Sequence, residues 1–303
     1  MQDHQPSLTA LISAFGRAYH SRFDSPHIFD DFMAHRLFRE GEFALLGRNM
    51  AAALPFFAPQ YAAQQVDQDE ALAIVMRNQS TPITLSRAKY TEDSLHAALA
   101  DGVQQYVILG AGFDTFALRM PPTTQLHVFE VDHPATQQEK RERIAAFSPE
   151  LPDCLHFVPI DFTRERLTDI LLESSFSPNK RSFFNWLGVT YYLPQDVVQD
   201  TLRAIAQLAP SGSTIVFDYL DTDAFDPAKA APRVQKMLQV VARTGEPMQT
   251  GFDPQTLGAL LSDLGWELEE NLAPADIQTR FFQGQSNGYS AFEHIHFARA
   301  VVK

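Results

Sequence analysis

The chain has 303 residues, 45% apolar and 20% charged, enough apolar material for a large core and too much for general disorder. Its 37 acidic against 24 basic residues give a net charge of -13, which argues against a nucleic-acid partner. A single cysteine, Cys154, excludes an internal disulfide and a zinc–cysteine site and favours a cytoplasmic compartment.

No stretch reaches the roughly 18 apolar residues of a spanning helix, so a membrane partner is not expected. The start, MQDHQPSLTALISAFGRAYHSRF, lacks the basic region and apolar run of a signal peptide. Residues 1–80 read as a helical N-terminal cap, and residues 81–303 as one integrated binding unit. Leu8, Leu11, Ile12 and Phe15 fall at helical spacing, a polar break follows near Ser25-Pro26, Ile28, Phe29, Phe32, Met33, Leu37 and Phe38 continue the pattern, Pro55 and Pro59 interrupt it, and residues 71–76 resume it. The cap is rich in phenylalanine, with 8 of the chain's 24 Phe in its first sixty residues. Thr81-Pro82 starts a helix to residue 100, with Thr81 as the N-cap and Asp101-Gly102 as the stop.

Strands and helices then alternate. Strands are predicted over 106–109, 126–131, 155–160, 182–187 and 214–219. Helices are predicted over 133–147, after Thr163 as a cap, and over 194–208. This alternation means a doubly wound α/β sheet, mostly parallel, with helices on both faces. In the tail, helices are predicted over 228–242, from Asp253-Pro254 to Gly265, and over 275–282. Strands over 266–271 and 292–302 would close the sheet with an antiparallel edge.

In such sheets ligands bind beyond the carboxyl ends of the strands. The first strand ends in Gly110-Ala111-Gly112-Phe113-Asp114-Thr115, where Gly-x-Gly permits a tight turn and close ligand approach. The next ends in Glu130-Val131-Asp132, an acid at the distance that serves ribose hydroxyls. Alternation places Glu130 and Asp132 on one face, so either is a candidate. A nicotinamide cofactor and S-adenosylmethionine both use this layout. Thr115 replaces the third glycine of the dinucleotide fingerprint, and Asp114 would repel a pyrophosphate, so the spacing leans to the methyl donor.

The segments "RAKYTEDSLHAALADGVQQYVILGAGFDTFALRM", "HVFEVDHPATQQEKRERI", "FVPIDFTRERLTDIL" and "FFNWLGVTYYLPQDVVQDTLRAIAQLAPSGSTIVFDY" resemble the leucine carboxyl methyltransferase family. The resemblance spans residues 81–272 closely and the N-terminal region loosely. It implies a class I methyltransferase fold with an added helical cap, S-adenosylmethionine as cofactor, and methyl transfer to a carboxyl or hydroxyl oxygen. Tetracenomycin-type enzymes of polyketide metabolism belong to that family, so a small, largely apolar acceptor is implied. By the same resemblance Arg87 holds the methionine carboxylate, Gly110, Ala111 and Gly112 form the cofactor turn, and Asp132 meets the ribose. Asp161 and Phe162 lie beside the adenine. The family's EGVTMYL segment is Leu187-Gly188-Val189-Thr190-Tyr191-Tyr192-Leu193 here, so Leu187 replaces a cofactor-binding glutamate. That replacement keeps a third reading open, a protein that binds the cofactor without turnover. His133, Tyr191 and Tyr192 stand near strand ends, where a base for a hydroxyl acceptor would act.

Plainer readings accompany several of these residues. Glu130 is a natural partner for a basic residue of the next helix. Asp161 suits a helix start, and His133 opens a helix. Lys140, Arg141 and Arg143, interleaved with Glu139 and Glu142, read as a solvated helix face. Asp218, Asp221, Asp223 and Asp226 read as a solvated loop without a base among them. His294 and His296 share a strand face without a third metal ligand, and no metal is expected.

Overall fold

The computed structural model describes residues 7–61, 63–121, 123–148, 150–162, 164–243, 245 and 247–303. Helices α1 (Leu8–Phe23), α2 (Glu42–Ala52), α3 (Leu54–Phe57) and α4 (Gln68–Asn78) come first. Ser7 caps α1 by accepting from the Ala10 amide, and Asp67 caps α4 through Glu70. The helical pattern expected to continue from Ile28 does not form a helix. Residues 24–33 are irregular, and only a short 3-10 turn, Ala34–Leu37, follows. The buried Asp31 carboxylate accepts from the Ala34 amide, as an N-cap does, and from the Thr115 hydroxyl, so helical structure starts only after it.

Helix α5 (Thr81–Ala100) has the predicted limits, with Ser80 rather than Thr81 as its N-cap residue and Pro82 in its first turn. Then follow β1 (Gln105–Leu109), α6 (Phe116–Arg119), β2 (His127–Asp132), α7 (Pro134–Ala145), β3 (Leu155–Pro159) and α8 (Leu167–Glu173). The predicted cap of α8, Thr163, lies outside the described residues, and the helix begins only at Leu167. The rest is β4 (Ser182–Trp186), α9 (Gln195–Leu208), β5 (Thr214–Leu220), α10 (Pro232–Arg243), α11 (Leu257–Asp263), β6 (Trp266–Leu272), α12 (Pro274–Ile277) and β7 (Ile295–Val302).

The seven strands form one sheet in the order β3-β2-β1-β4-β5-β7-β6. Neighbours from β3 to β5 are parallel, and β7 runs antiparallel to both β5 and β6. Strands β1, β4 and β5 are buried along their whole length, as parallel strands covered on both faces must be. Alternation divides their side chains between two cores. Val107, Leu109, Phe184 and Trp186 pack with α8, α9 and α11. Tyr106, Ile108, Phe183 and Val216 pack with α5 and α6. The chain order reverses between β1 and β4, so the crevice beyond their carboxyl ends is the switch point where ligands bind.

Two surfaces expected to be solvated are so only in part: Arg141, Glu142 and Asp223 are exposed, but Lys140, Arg143 and Asp218 are not. On α7, Lys140 and Arg143 are buried: Lys140 Nζ lies 2.5 Å from Glu130, and Arg143 pairs with Glu42 and Glu139 and donates to the Leu37 carbonyl at 2.8 Å. Asp218 lies within β5, fully buried. Its neighbours in the acid run do meet bases, Asp221 with His294 and His296, and Asp223 with Lys229. Charge alternation along the sequence did not mark Arg143 and Asp218 as buried, because Glu42 and Arg87 come to them from distant elements.

Candidate active site

A cavity of about 940 Å³ opens at the switch point. Its floor is the turn after β1. Gly110 has φ +72°, a left-handed conformation, and a Cβ there would lie 2.4 Å from Val189 Cγ2. Gly112 has φ +49°, and a Cβ there would lie 3.0 Å from the Ala10 side chain of α1. The turn brings backbone to the cavity surface, and α1 closes over it. The Gly110 and Ala111 amides both donate to the Val131 carbonyl, at 2.8 and 3.1 Å, which locks the turn to β2.

Asp132 faces this turn from the end of β2. One carboxylate oxygen accepts from the Gly112 amide and the other from the His133 amide at 2.6 Å. Burial pushes its carboxyl upward, and these two amides act against that rise. Each oxygen keeps a further lone pair for a ligand hydroxyl. Glu130 shares the strand face but does not line the cavity. Burial raises its carboxyl to about 7 against the pull of Lys140, so the plain pairing reading holds, and of the two acids of β2 only Asp132 lines the cavity.

Arg87 reaches the cavity from α5. Its Nη1 donates to Asp218 Oδ2 at 2.9 Å and to the Tyr191 hydroxyl at 3.0 Å. Asp218 also accepts from the Gly188 amide at 2.6 Å. Burial works against the guanidinium charge, and Asp218 and Tyr191 more than offset it, so the arginine stays cationic. The Tyr191 phenol is buried, and burial with Asp218 beside it raises its pKa well above the usual value. The Tyr191 hydroxyl is thus held between Arg87 and Asp218. Its neighbour Tyr192 lines the cavity with its ring edge-on to Tyr191, centroids 5.0 Å apart.

Asp161, Phe162 and Leu187 also line the cavity. Asp161 opens a turn, its carbonyl accepting from the Arg164 and Glu165 amides at 2.9 Å and its amide donating to the Glu165 carboxylate at 2.8 Å, while α8 itself begins at Leu167. His133 caps α7, its Nδ1 accepting from the Ala135 amide at 3.3 Å, and its ring still borders the cavity. Sequence reasoning missed Asn185. This residue is 3% exposed and lines the cavity, its Nδ2 donates to the Tyr106 hydroxyl at 2.5 Å, and its Oδ1 has no hydrogen-bond partner among the described residues. The available signal was a lone amide in an otherwise apolar strand, two residues before Leu187.

The far wall is apolar and comes largely from the N-terminal helices and α10. Phe29, Met50, Phe56, Phe57, Met237 and Phe292 line it. The phenylalanine surplus is thus divided. Phe29, Phe56 and Phe57 face the cavity, Phe15, Phe38 and Phe43 pack on one another, and Phe32 is 54% exposed. A buried charge cluster ties the first helix to the cofactor turn. Asp31 meets Arg17 at 2.8 Å and Arg119 at 3.3 Å, and Arg17 donates to the Phe113 carbonyl at 2.7 Å. Burial alone would raise the Asp31 carboxyl, but the two guanidiniums hold it below its ordinary value.

The residues present suit S-adenosylmethionine: an acid aimed at the glycine turn, a cation from the second turn of α5, and a cradle that tolerates no Cβ. Comparison with known proteins agrees. The profile of the family described as "Leucine carboxyl methyltransferase" matches residues 10–206. A Bacillus subtilis (strain 168) protein named "Putative S-adenosyl-L-methionine-dependent methyltransferase YktD" is 44% identical over 305 residues, covering 100% of both chains. A similarly named protein of Mycobacterium tuberculosis (strain ATCC 25618 / H37Rv), Rv3787c, is 29% identical over 236 residues, covering 78% of this chain and 72% of the relative. Among solved structures, a DUF574 family protein from Streptomyces avermitilis superposes with a TM-score of 0.55 at 12% identity, covering 96% of this chain and 97% of the other. That likeness concerns the fold alone.

Proposed function

The chain belongs to the leucine carboxyl methyltransferase family and is an S-adenosylmethionine-dependent methyltransferase, and on that premise we propose that it methylates a carboxyl or hydroxyl oxygen of a small, largely apolar molecule, of polyketide type. The observation that carries this reading is the continuity of one cavity, from Gly110 and Asp132 at the sheet to Phe29, Phe57 and Met237 under the N-terminal helices.

The roles divide by position. Arg87, held by Asp218 and Tyr191, takes the methionine carboxylate. Asp132 takes the ribose hydroxyls while its amide contacts fix its plane. Gly110, Ala111 and Gly112 leave the backbone free to approach the cofactor, and Asp161 and Phe162 border the adenine. When bound, the cofactor supplies an activated sulfonium methyl that needs only an oxygen aligned with the carbon–sulfur bond. Alignment supplies much of the barrier lowering, and the apolar wall excludes competing water. A carboxylate acceptor is ionised at neutral pH and needs no base. For a hydroxyl acceptor, Tyr192 and His133 are the cavity residues available to take the proton, Tyr191 being committed to Arg87. Residues 7–61 act as the lid over the acceptor.

The test is incubation with S-adenosylmethionine and a panel of apolar acids and phenols, read by mass. A product heavier by one methyl group supports the reading. Cofactor binding without product across the panel would favour a binding protein without turnover, the alternative that Leu187 raises.

A further inference from the structure

Among the described residues that line the cavity, one buried side-chain polar atom lacks a hydrogen-bond partner. Asn185 borders the cavity; its Oδ1 is buried and lacks a partner among the described residues, while its Nδ2 donates to the Tyr106 hydroxyl. A buried acceptor left unpaired is costly, and its position beside an open volume points to a ligand donor.

Register locates that donor. Asn185 pairs with Ile108 of β1, two residues before Gly110, and lies two residues before Leu187, so all these residues look to the crevice from one sheet face. Arg87 closes the same end, since a Cβ on Gly188 would lie 2.7 Å from its Nη2. The methionine carboxylate and ammonium share one carbon. The group that receives the ammonium must therefore stand beside the cation that receives the carboxylate. Leu187, which stands where the family has a glutamate, offers no acceptor there, and Asn185 is the nearest cavity residue on that strand that does.

We infer that Asn185, through Oδ1, receives the ammonium of the bound cofactor's methionine end, in place of the acidic contact missing at Leu187. This assignment rests on the cofactor reading above. It makes the amino-acid end a two-point grip, Arg87 for the anion and Asn185 for the cation, with no net charge added by the protein at the second point.

Calorimetry on the full chain tests it with two probes, S-adenosylhomocysteine and its desamino analogue, in which hydrogen replaces the α-amine. The wild-type protein is expected to prefer S-adenosylhomocysteine by at least about tenfold, the size of one hydrogen bond to a charged group. Asn185→Leu is expected to lose that preference while binding the analogue as the wild type does, which also shows that the variant is folded. Asn185→Asp keeps an oxygen in place and is expected to keep or exceed the preference. Equal binding of both probes by the wild type, an undiminished preference in Asn185→Leu, or a tenfold fall in Asn185→Asp overturns the assignment. A wild-type protein that binds neither probe refutes the underlying cofactor reading instead.

Discussion

Asp218→Asn isolates the support beneath Arg87. The carboxylate is fully buried and holds three groups: Arg87 at 2.9 Å, the Gly188 amide at 2.6 Å and the Tyr191 hydroxyl at 3.4 Å. Asparagine keeps an oxygen for Gly188 but turns an N–H donor toward the guanidinium. Breaking a buried pair by removing one partner costs about 3–5 kcal/mol, and the retained Gly188 contact places this case near ~3 kcal/mol. Against a total stability of about 5–15 kcal/mol, that is a large shift of the urea midpoint. The double variant Arg87→Met/Asp218→Asn is expected to regain part of the loss, since no unpaired buried charge remains. Asp218→Asn is also expected to weaken S-adenosylhomocysteine while leaving 5′-methylthioadenosine unchanged, because only the former has a carboxylate for Arg87. Urea melts at pH 7 measure the first effect and calorimetry the second. A loss under about 1 kcal/mol, with the double variant no better than the single, would refute a buried ion pair here.

Three further outcomes follow from the site. Asp132→Ala is expected to weaken S-adenosylhomocysteine at least about tenfold by calorimetry, ~1.4 kcal/mol, and unchanged affinity would displace the ribose from β2. Leu187→Glu restores the family's contact and is expected to tighten cofactor binding; no change would mean that the side chain does not reach the methionine end. Asp31→Asn has a pH signature. Arg17 and Arg119 hold the Asp31 carboxyl below its ordinary 3.8, so its ionised form contributes stability that is present above pH 3.8 and lost as pH falls through the lower folded value. The destabilisation of the variant relative to wild type, from urea melts at several pH values, should therefore be constant near neutrality and shrink below pH 3.8; a gap that widens in acid would contradict the pairing.

The alternating strands and helices were legible because each parallel strand reads as a short apolar run, and the Gly110–Asp132 spacing was legible because turn and acid lie close in sequence. The limits of α5 were legible from Pro82 and Asp101-Gly102. Long-range charge pairs were not. Glu130 pairs with a basic residue of the next helix as expected, but Asp218 looks solvated by local pattern, and only the fold brings Arg87 to it. The break near Ser25-Pro26 was legible, but the irregular run from Ile28 to Met33 was not, since Asp31 is held by Thr115 and Arg119 from distant parts of the chain. Asn185 went unnoticed because a single amide carries no periodicity. The phenylalanines of the cap could be counted but not sorted, because cavity wall and helix packing call for the same residue type.

The most direct measurement of the central claim is a crystal structure of the chain with S-adenosylhomocysteine. The account predicts the ribose hydroxyls on Asp132, the carboxylate on Arg87, and the adenine beside Asp161 and Phe162, with the thioether sulfur facing the apolar wall of Phe29, Phe57 and Met237. A ligand bound away from the Gly110 turn, or one with its sulfur turned from that wall, would contradict it.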